Sequence, residues 1–216
     1  MASMNLRPRS PLAMVLLALL AERPMHPYRM QQLIKSRRKD DVVNVARSNS
    51  VYQVIDRLLR DALIRVRETD PAGTGPSRTV YEITPKGRTT FDDWMGVVLA
   101  EPAREFPEFR AAVAISGILP PEVVRGHLAR RIPILEQQLT DADETSEVTT
   151  QLGLPRVLTL ENEHKAALAR AELDWLRRVV ADLESGTLTW SPDELVALSD
   201  RLEPESQTGH VAQSGQ

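Results

Sequence analysis

Apolar residues recur at helical spacing between Ser48 and Leu63, and the other segments are best understood around this one. The spacing of i, i+3, i+4, i+7, i+8 and i+11 predicts one buried stripe of an amphipathic helix. The stripe consists of Val51, Val54, Ile55, Leu58, Leu59 and Ala62. Ser48, Asn49 and Ser50 supply side-chain oxygens that can cap the amide groups at the start of the helix. Its other face is polar and carries Tyr52, Gln53, Asp56, Arg57 and Arg60.

Two short extended runs, Ile64–Glu68 and Thr79–Ile83, follow this helix. The segment between them, Thr69–Arg78, contains two glycines, two prolines and an aspartate, a composition typical of a turn or a long loop. Helix, strand, loop and strand together predict a winged helix-turn-helix, in which the helix enters the major groove of DNA and the hairpin lies along the flanking backbone. Without the hairpin, a merely solvated surface would be the simpler interpretation of the polar helix face.

Two further helices are predicted before this segment. The apolar run Leu12–Ala21, which follows Arg7 and Arg9, resembles the start of a signal peptide, but it is shorter than the roughly 20 residues that span a bilayer. It also suits the first core helix of a winged-helix domain, and cleavage near its end would remove that core element. We therefore expect a cytoplasmic protein without a membrane segment. The segment Met25–Arg38 predicts the supporting helix of the motif.

A change in composition at residues 102–107 (PAREFP) marks a domain boundary. Before it, Thr84 is predicted to cap a helix with Pro85 in its first turn. The expected fold class is mainly α with a small β hairpin, made of a winged helix-turn-helix domain and a helical dimerisation and effector domain. The predicted segments are a disordered N-terminus, the winged domain, a linker, the helical domain and a disordered polar tail: residues 1–9, 10–101, 102–107, 108–202 and 203–216.

Helices dominate the chain beyond the linker. The predicted segments are Glu108–Ile118, Glu122–Glu144, Pro155–Ser185 and Trp190–Leu202, and Pro133 is expected to kink the second of them. Two adjacent apolar rows run along the third helix: Leu173, Leu176, Val180 and Leu183, and beside them Leu168, Trp175 and Val179. A monomer does not usually leave so much apolar surface exposed, so the rows predict helix packing between two subunits.

The formal net charge of −3 conceals an uneven distribution. Residues 1–100 contain 16 Lys and Arg against 10 Asp and Glu, a balance of +6, whereas residues 101–216 contain 11 against 20, a balance of −9. This asymmetry favours a polyanionic partner for the first half only. The chain has no cysteine, which excludes disulfides and thiolate metal sites and suits a reducing cytoplasm.

Three blocks of the sequence, taken in order, resemble the PadR family of winged-helix transcriptional regulators: LLALLAERPMHPYRMQQLI, SNSVYQVIDRLLRDALI and RTVYEITPKGRTTFDDWM. The resemblance covers residues 12–96 and extends more loosely over 104–184, where the pair Trp175 and Leu176 is similar to the long C-terminal helix of such proteins. The chain departs from the family at Pro27 and Ala62, where glycine is usual. We expect Pro27 to shift the entry of the supporting helix. We expect Ala62 to alter only the exit of the recognition helix, because alanine continues a helix better than glycine.

This resemblance implies a repressor, or less often an activator, that binds a pseudo-palindromic operator in double-stranded DNA as a homodimer. It also implies that a small, often aromatic molecule releases the DNA. The aromatic residues considered for such a site are Trp94, Phe106, Phe109 and Trp175. Trp94 also suits a place in the core, on the apolar stripe of its helix.

Position on the motif assigns a role to each polar residue. The opening of a helix fits a major groove about 12 Å wide, so Asn49, Ser50 and Gln53 are expected to contact bases, with Ser48 at the start of the same interface. Phosphate contacts fix register without reading sequence. They are expected from Tyr28, Lys35, Tyr52, Arg57, Arg60 and, at the edge of the wing, Arg78. A half-buried ring in the core is the alternative for Tyr28.

Catalytic motifs are missing from the sequence: it contains no G-x-x-x-x-G-K-[ST], G-x-G-x-x-G, G-x-S-x-G or H-E-x-x-H. Four scattered histidines show no metal-ligand spacing; they are His26, His127, His164 and His210. We therefore predict that the protein is not an enzyme and uses no metal or cofactor. The alternative function is a helical protein-interaction adaptor that retains a winged-helix fold without binding DNA.

Overall fold

The computed structural model describes residues 9–43, 48–70 and 78–202. The chain divides into two compact units, Met1–Arg104 and Glu105–Gln216, which are called the N-terminal and C-terminal units below. The division lies inside the predicted linker, residues 102–107. Residues 1–8 and 203–216, which hold nearly all of the predicted disordered ends, lie outside the described residues.

The described chain is mainly helical and contains one two-stranded antiparallel sheet, which confirms the predicted fold class. The elements of the N-terminal unit are α1 (Pro11–Glu22), α2 (Pro27–Ser36), α3 (Ser48–Arg60), β1 (Ile64–Asp70), β2 (Arg78–Ile83) and α4 (Pro85–Ala100). Those of the C-terminal unit are α5 (Glu108–Ala114), α6 (Pro121–Gln151), α7 (Leu160–Ser185) and α8 (Pro192–Leu202). Short 3-10 turns lie at Lys39–Asp41, Ser116–Ile118 and Arg156–Leu158. None of the described helices is long and apolar enough to cross a membrane.

Helix α1 lies at the centre of the N-terminal unit. Ser10 caps it by accepting a hydrogen bond from the Ala13 amide at 3.2 Å, and Pro11 occupies the first turn, where a missing amide costs nothing. Six of its residues are buried: Leu12, Ala13, Leu16, Leu17, Leu19 and Leu20. Because α3, α4 and β2 all contact α1, the predicted apolar run serves as the first core helix.

The apolar stripe of α3 packs into the same core. Val51, Ile55 and Leu58 are almost completely buried, and Val54 and Leu59 are partly buried on the same cluster. Full burial of such a side chain contributes about 1.5–3 kcal/mol, so a rotation of α3 that exposed the stripe would be costly. The polar face of α3 is therefore held outward.

Strands β1 and β2 form the predicted hairpin. Each strand extends further toward the loop than predicted, since β1 reaches Asp70 and β2 begins at Arg78. The loop itself, residues 71–77, lies outside the described residues. Met25, just before α2, adds a third pairing: its amide donates to the Tyr81 carbonyl and its carbonyl accepts from the Tyr81 amide, both at 3.1 Å. The wing is thereby joined to the start of the supporting helix.

Helix α3 ends at Arg60 and not at Leu63, because Ala62 adopts a left-handed conformation with φ of 56°. The Leu63 amide donates to the Leu58 carbonyl at 2.9 Å. The Ala62 amide donates to the Leu59 carbonyl at 2.9 Å, which completes the pattern of a Schellman cap. The expectation that alanine would continue the helix here is wrong. A residue with a Cβ pays about 1–2 kcal/mol for this conformation.

The start of α4 is joined to the chain that follows α3. Thr84 caps α4 as predicted, since its hydroxyl accepts from the Gly87 amide at 3.0 Å. The same hydroxyl donates to the Ala62 carbonyl at 2.8 Å. A Cβ added at Gly87 would lie 2.0 Å from the Leu63 carbonyl oxygen. Only glycine therefore allows this close approach of helix and strand.

Helices α6 and α7 form an antiparallel pair that dominates the C-terminal unit. Ion pairs between them show the direction: Arg125, near the start of α6, pairs with Glu184 near the end of α7 at 3.2 Å. Further along α6, Asp143 pairs with Arg170 near the start of α7 at 3.0 Å. Helix α6 continues through Pro133 and is longer than predicted, because tertiary packing outweighs the one amide that proline removes.

The core between α6 and α7 uses residues that were predicted to lie between subunits. Leu173, Leu176 and Val180 are buried against α6 of the same chain, and their role in dimerisation stays a prediction. Periodicity shows that a helix face is apolar but not which helix covers it. Three further predicted residues are partly buried on this core: Trp175, Val179 and Leu183. Leu168 remains 60% exposed.

We predict that Ala62→Gly raises the free energy of unfolding by about 1 kcal/mol, because glycine adopts the left-handed conformation without the Cβ penalty. Chemical denaturation measures the change. The control is Ala167→Gly on the exposed side of α7, which should lower the same free energy by about 1 kcal/mol. Equal destabilisation by both variants would contradict the assigned cap.

We predict that Gly87→Ala lowers the free energy of unfolding by about 1–3 kcal/mol, since the new methyl group meets a backbone carbonyl that cannot move aside easily. Gly96 is the matched control, because it lies in the same helix and a Cβ there meets nothing within 4 Å. Gly96→Ala should stabilise the protein by up to about 1 kcal/mol through helix propensity. Thermal and denaturant unfolding of both variants test the contrast, and a stable Gly87→Ala protein would refute it.

Candidate nucleic-acid interface

The outward face of α3 presents polar side chains along its whole length. Tyr52 is 50% exposed, and Gln53, Asp56 and Arg60 are exposed as well. Gln53, Asp56 and Arg60 line a shallow groove on the surface together with Leu59. The face thus combines an amide, a carboxylate and a guanidinium within two turns of helix, and it can donate and accept hydrogen bonds at neighbouring positions.

The first turn of α3 contains three of the predicted contact residues. Ser48 and Asn49 lie in the helix by their backbone, and their side chains are outside the described part of the structure. Ser50 is partly buried. The helix therefore begins where the sequence predicted, at Ser48, and the roles of these three side chains stay predictions.

Arg57 has a structural contact that the sequence did not reveal. It is partly buried, and its guanidinium donates to the Ser10 hydroxyl at 2.9 Å. Since Ser10 caps α1, Arg57 ties the recognition helix to the start of the central helix. This contact leaves Arg57 less available for phosphate than Arg60, which points outward on the same helix.

The supporting helix places two of the predicted phosphate contacts on the surface. Tyr28 is 61% exposed and stacks on His26, with ring centroids 6.2 Å apart, so it is not a core residue. His26 caps α2, because its Nδ1 accepts a hydrogen bond from the Arg29 amide at 3.1 Å. Lys35 is exposed near the end of α2.

Several cations of the N-terminal unit are already neutralised. Arg37 donates two hydrogen bonds to Glu22, at 2.5 and 2.8 Å, and this contact lowers the pKa of the Glu22 carboxyl below its usual value. Arg65 on β1 pairs with Glu82 on β2 at 2.6 Å. In contrast, Lys35 and Arg60 have no carboxylate partner among the residues that the structure describes.

The wing lies beside the recognition helix. Burial raises the pKa of the Tyr81 hydroxyl on β2, and the nearby charge of Asp56 on α3 raises it further. Arg78, the predicted wing contact, lies at the start of β2 by its backbone, and its side chain is not among those described. Strand β2 and the exposed face of α3 are therefore neighbours, as in a winged helix-turn-helix.

The four aromatic residues suggested for an effector site do not lie in one unit. Trp94 is buried in the core of the N-terminal unit, and its Nε1 has no acceptor in the described structure. Phe106 is an exposed residue of the C-terminal unit. Phe109 and Trp175 meet there edge to face, with centroids 6.1 Å apart. Trp94 is thus a core residue, and only Phe109 and Trp175 form a pair.

Phe109 and Trp175 line a cavity of about 840 Å³ that the sequence did not reveal. Ile115, Ile118 and Trp190 also line it. The short apolar run before Leu119 was the only sequence signal for this cavity. Gly117 and the end of α5 interrupt the helical spacing of that run, so it did not predict an apolar helix face. No cluster of three or more potential metal ligands occurs among the described residues.

Comparison with known proteins agrees with this geometry. Residues 16–93 match the model of the transcriptional regulator PadR-like family, a range that begins in α1 and ends in α4. The crystal structure of Bacillus subtilis PadR in complex with operator DNA matches with a TM-score of 0.65 and 18% identity, over 82% of this chain and 99% of that chain. The structure of the same protein in complex with p-coumaric acid matches with a TM-score of 0.65 and 16% identity, over 81% of this chain and 99% of that chain.

The virulence activator AphA of Vibrio cholerae matches with a TM-score of 0.59 and 19% identity, over 81% of this chain and 98% of that chain. No curated protein sequence matches the chain. At these identities the solved structures show the shared fold. The family model covers residues of the unit that presents the polar face of α3, and this part of the chain is similar to the transcriptional regulator PadR-like family.

Proposed function

We propose that the protein is a sequence-specific regulator that binds a pseudo-palindromic operator as a homodimer and acts as a repressor. The observation that carries this proposal is the outward polar face of α3, held in place by the buried stripe on its other side. A helix of 13 residues is about 20 Å long, and its width suits a major groove about 12 Å wide.

The composition of this face favours base-specific recognition over non-specific binding to the DNA backbone. Gln53 can form two hydrogen bonds with the N6 and N7 edge of adenine. Asp56 lies one turn further along and is exposed. A carboxylate repels phosphate but can accept a hydrogen bond from the N4 amino group of cytosine. A face that includes Asp56 is therefore better suited to base edges than to the backbone.

Phosphate contacts are assigned to residues around this face. The candidates are Tyr28 and Lys35 on α2, Tyr52 and Arg60 on α3, and Arg78 on the wing. Asn49 and Ser50 at the helix opening are assigned to base contacts together with Gln53, and Ser48 lies at the start of the same interface. Arg57 is proposed to act mainly by holding α3 against Ser10. The excess of positive charge in residues 1–100 supports this placement of the polyanion.

A homodimer would present two copies of α3 to two half-sites about 34–36 Å apart, or a multiple of that distance. A protein seated on both half-sites excludes other proteins from the same DNA, which is the simplest route to repression. The Bacillus subtilis PadR complex contains operator DNA and supports the proposal. A small aromatic effector is proposed at the Phe109 and Trp175 pair, by analogy with the p-coumaric acid complex.

Separate substitutions of Gln53 and Arg60 distinguish contacts to bases, expected from Gln53, from contacts to phosphates, expected from Arg60. We predict that Gln53→Ala reduces the preference for operator over a mutated operator by about 1–3 kcal/mol, because a bidentate base contact is lost. Arg60→Ala should weaken binding to all duplexes alike. Competition binding assays with both duplexes measure the two effects, and unchanged operator binding by both variants would show that another face contacts DNA.

Salt dependence distinguishes the regulator from an adaptor that only binds proteins. A regulator with six to ten phosphate contacts should lose affinity by about 10³–10⁵ between 50 and 200 mM salt, since counterions are released on binding. Fluorescence anisotropy with a labelled operator measures the slope, and Arg60→Ala should reduce it by about 1. An adaptor would bind no duplex above background at any salt concentration.

A further inference from the structure

Asp56 is an exposed carboxylate on the polar face of α3. Two other carboxylates of the N-terminal unit are neutralised, since Glu22 pairs with Arg37 and Glu82 pairs with Arg65. Asp56, in contrast, has no cationic partner among the residues that the structure describes. A negative charge that faces a polyanion weakens binding unless the DNA supplies a hydrogen-bond donor to it.

The neighbours of Asp56 leave its oxygens open. Arg57, the next residue, donates to Ser10 at 2.9 Å. Burial, and after it the charge of Asp56, raises the pKa of the Tyr81 hydroxyl on the wing, but the side-chain hydrogen bond of Tyr81 is with Thr79. No hydrogen bond joins Asp56 to Tyr81 within the described part of the chain. The carboxylate therefore lies close to the wing as an acceptor without a donor.

The major groove offers few donors to such a group. An ionised carboxylate can only accept hydrogen bonds. Guanine presents the acceptors N7 and O6, and thymine presents the acceptor O4 and a methyl group, so both repel it. Adenine places the N7 acceptor beside its N6 amino group, an edge that suits the amide of Gln or Asn better than a carboxylate. Cytosine presents the N4 amino donor alone, and it is the base that an unpaired aspartate fits.

Gln53 and Asp56 occupy the same stretch of the recognition helix. Both line the shallow groove on the surface of α3, and three residues correspond to about 4.5 Å along a helix axis. Successive bases along a DNA strand are about 3.4 Å apart. A helix that lies in the major groove therefore brings the two side chains to base pairs that are at most two steps apart.

We propose that Asp56 determines sequence specificity by accepting a hydrogen bond from the N4 amino group of a cytosine, within two base pairs of the adenine that Gln53 contacts. The inference rests on the proposed function, because it requires α3 to lie in the major groove. It adds a C·G pair to the half-site. The same carboxylate acts against duplexes that place guanine or thymine at this position, so Asp56 contributes to specificity by repulsion as well as by attraction.

The test is selection of binding sites from a pool of random-sequence duplexes by the full-length protein and its variants. The wild-type protein is expected to enrich a site with the C·G pair. Asp56→Asn is expected to replace the cytosine by adenine at that position, because an amide both donates and accepts. Asp93→Asn is the matched control, since it removes the same charge from an exposed position on α4. It should select the same site as the wild-type protein.

A second measurement alters the DNA and leaves the protein intact. Methylation of the cytosine N4 leaves one hydrogen for base pairing and replaces the hydrogen that faces the major groove. We expect a synthetic duplex with this one modification to bind the wild-type protein about fivefold or more weakly. Asp56→Ala has no acceptor at this position, so its affinity should change by about twofold or less on methylation. Fluorescence anisotropy with both duplexes measures the four affinities.

The outcomes separate this inference from the proposed function. A selected site that lacks the cytosine, or that Asp56→Asn leaves unchanged, would overturn the inference while the protein remains a sequence-specific regulator. An equal loss of affinity on methylation for the wild-type protein and Asp56→Ala would also overturn it, because the methyl group would then act on another contact. If the wild-type protein enriches no sequence at all, the proposed function itself is wrong.

Discussion

Burial of the α3 stripe against α1 is the contact on which the recognition surface depends. Val51, Ile55 and Leu58 are almost fully buried, and the helix has only one other face. Since side chains three and four residues apart share a face, the burial of these three determines that Gln53, Asp56 and Arg60 point to solvent. The chemistry of the interface is thus a consequence of hydrophobic packing on the opposite side.

The position of α3 along its own axis depends on contacts at its C-terminal end. Arg57 reaches Ser10 at the start of α1, and the left-handed Ala62 turns the chain into β1. Thr84 and Gly87 then bring α4 against that turn. The hydrogen bonds among these contacts have a fixed length and direction, whereas the hydrophobic packing of the apolar stripe is non-directional. Packing therefore orients the helix, and the hydrogen-bonded cap and joint set where it ends.

The two units differ in how completely they cover their apolar residues. In the N-terminal unit the largest apolar side chains of α1 and α3 are enclosed by the same chain. In the C-terminal unit α6 and α7 enclose one face of each other, but the isoleucines beside α5 and on α6 stay exposed. A two-helix pair has too little surface to bury all of its apolar side chains, so part of the apolar surface of this unit stays exposed in the single chain.

The local sequence pattern was sufficient to predict the elements that depend only on residues close together in the chain. The stripe of α3, the cap at Thr84, the apolar run of α1 and the hairpin all follow from residues close together in the chain, and the polar face of α3 followed from them. Three features did not follow, because they depend on residues far apart in sequence. Arg57 meets Ser10 across 47 positions, the apolar face of α7 packs against α6 of the same chain, and the cavity forms where α5, α6, α7 and α8 meet. A periodic sequence specifies which side of a helix is apolar, but only the packed chain specifies what lies against it.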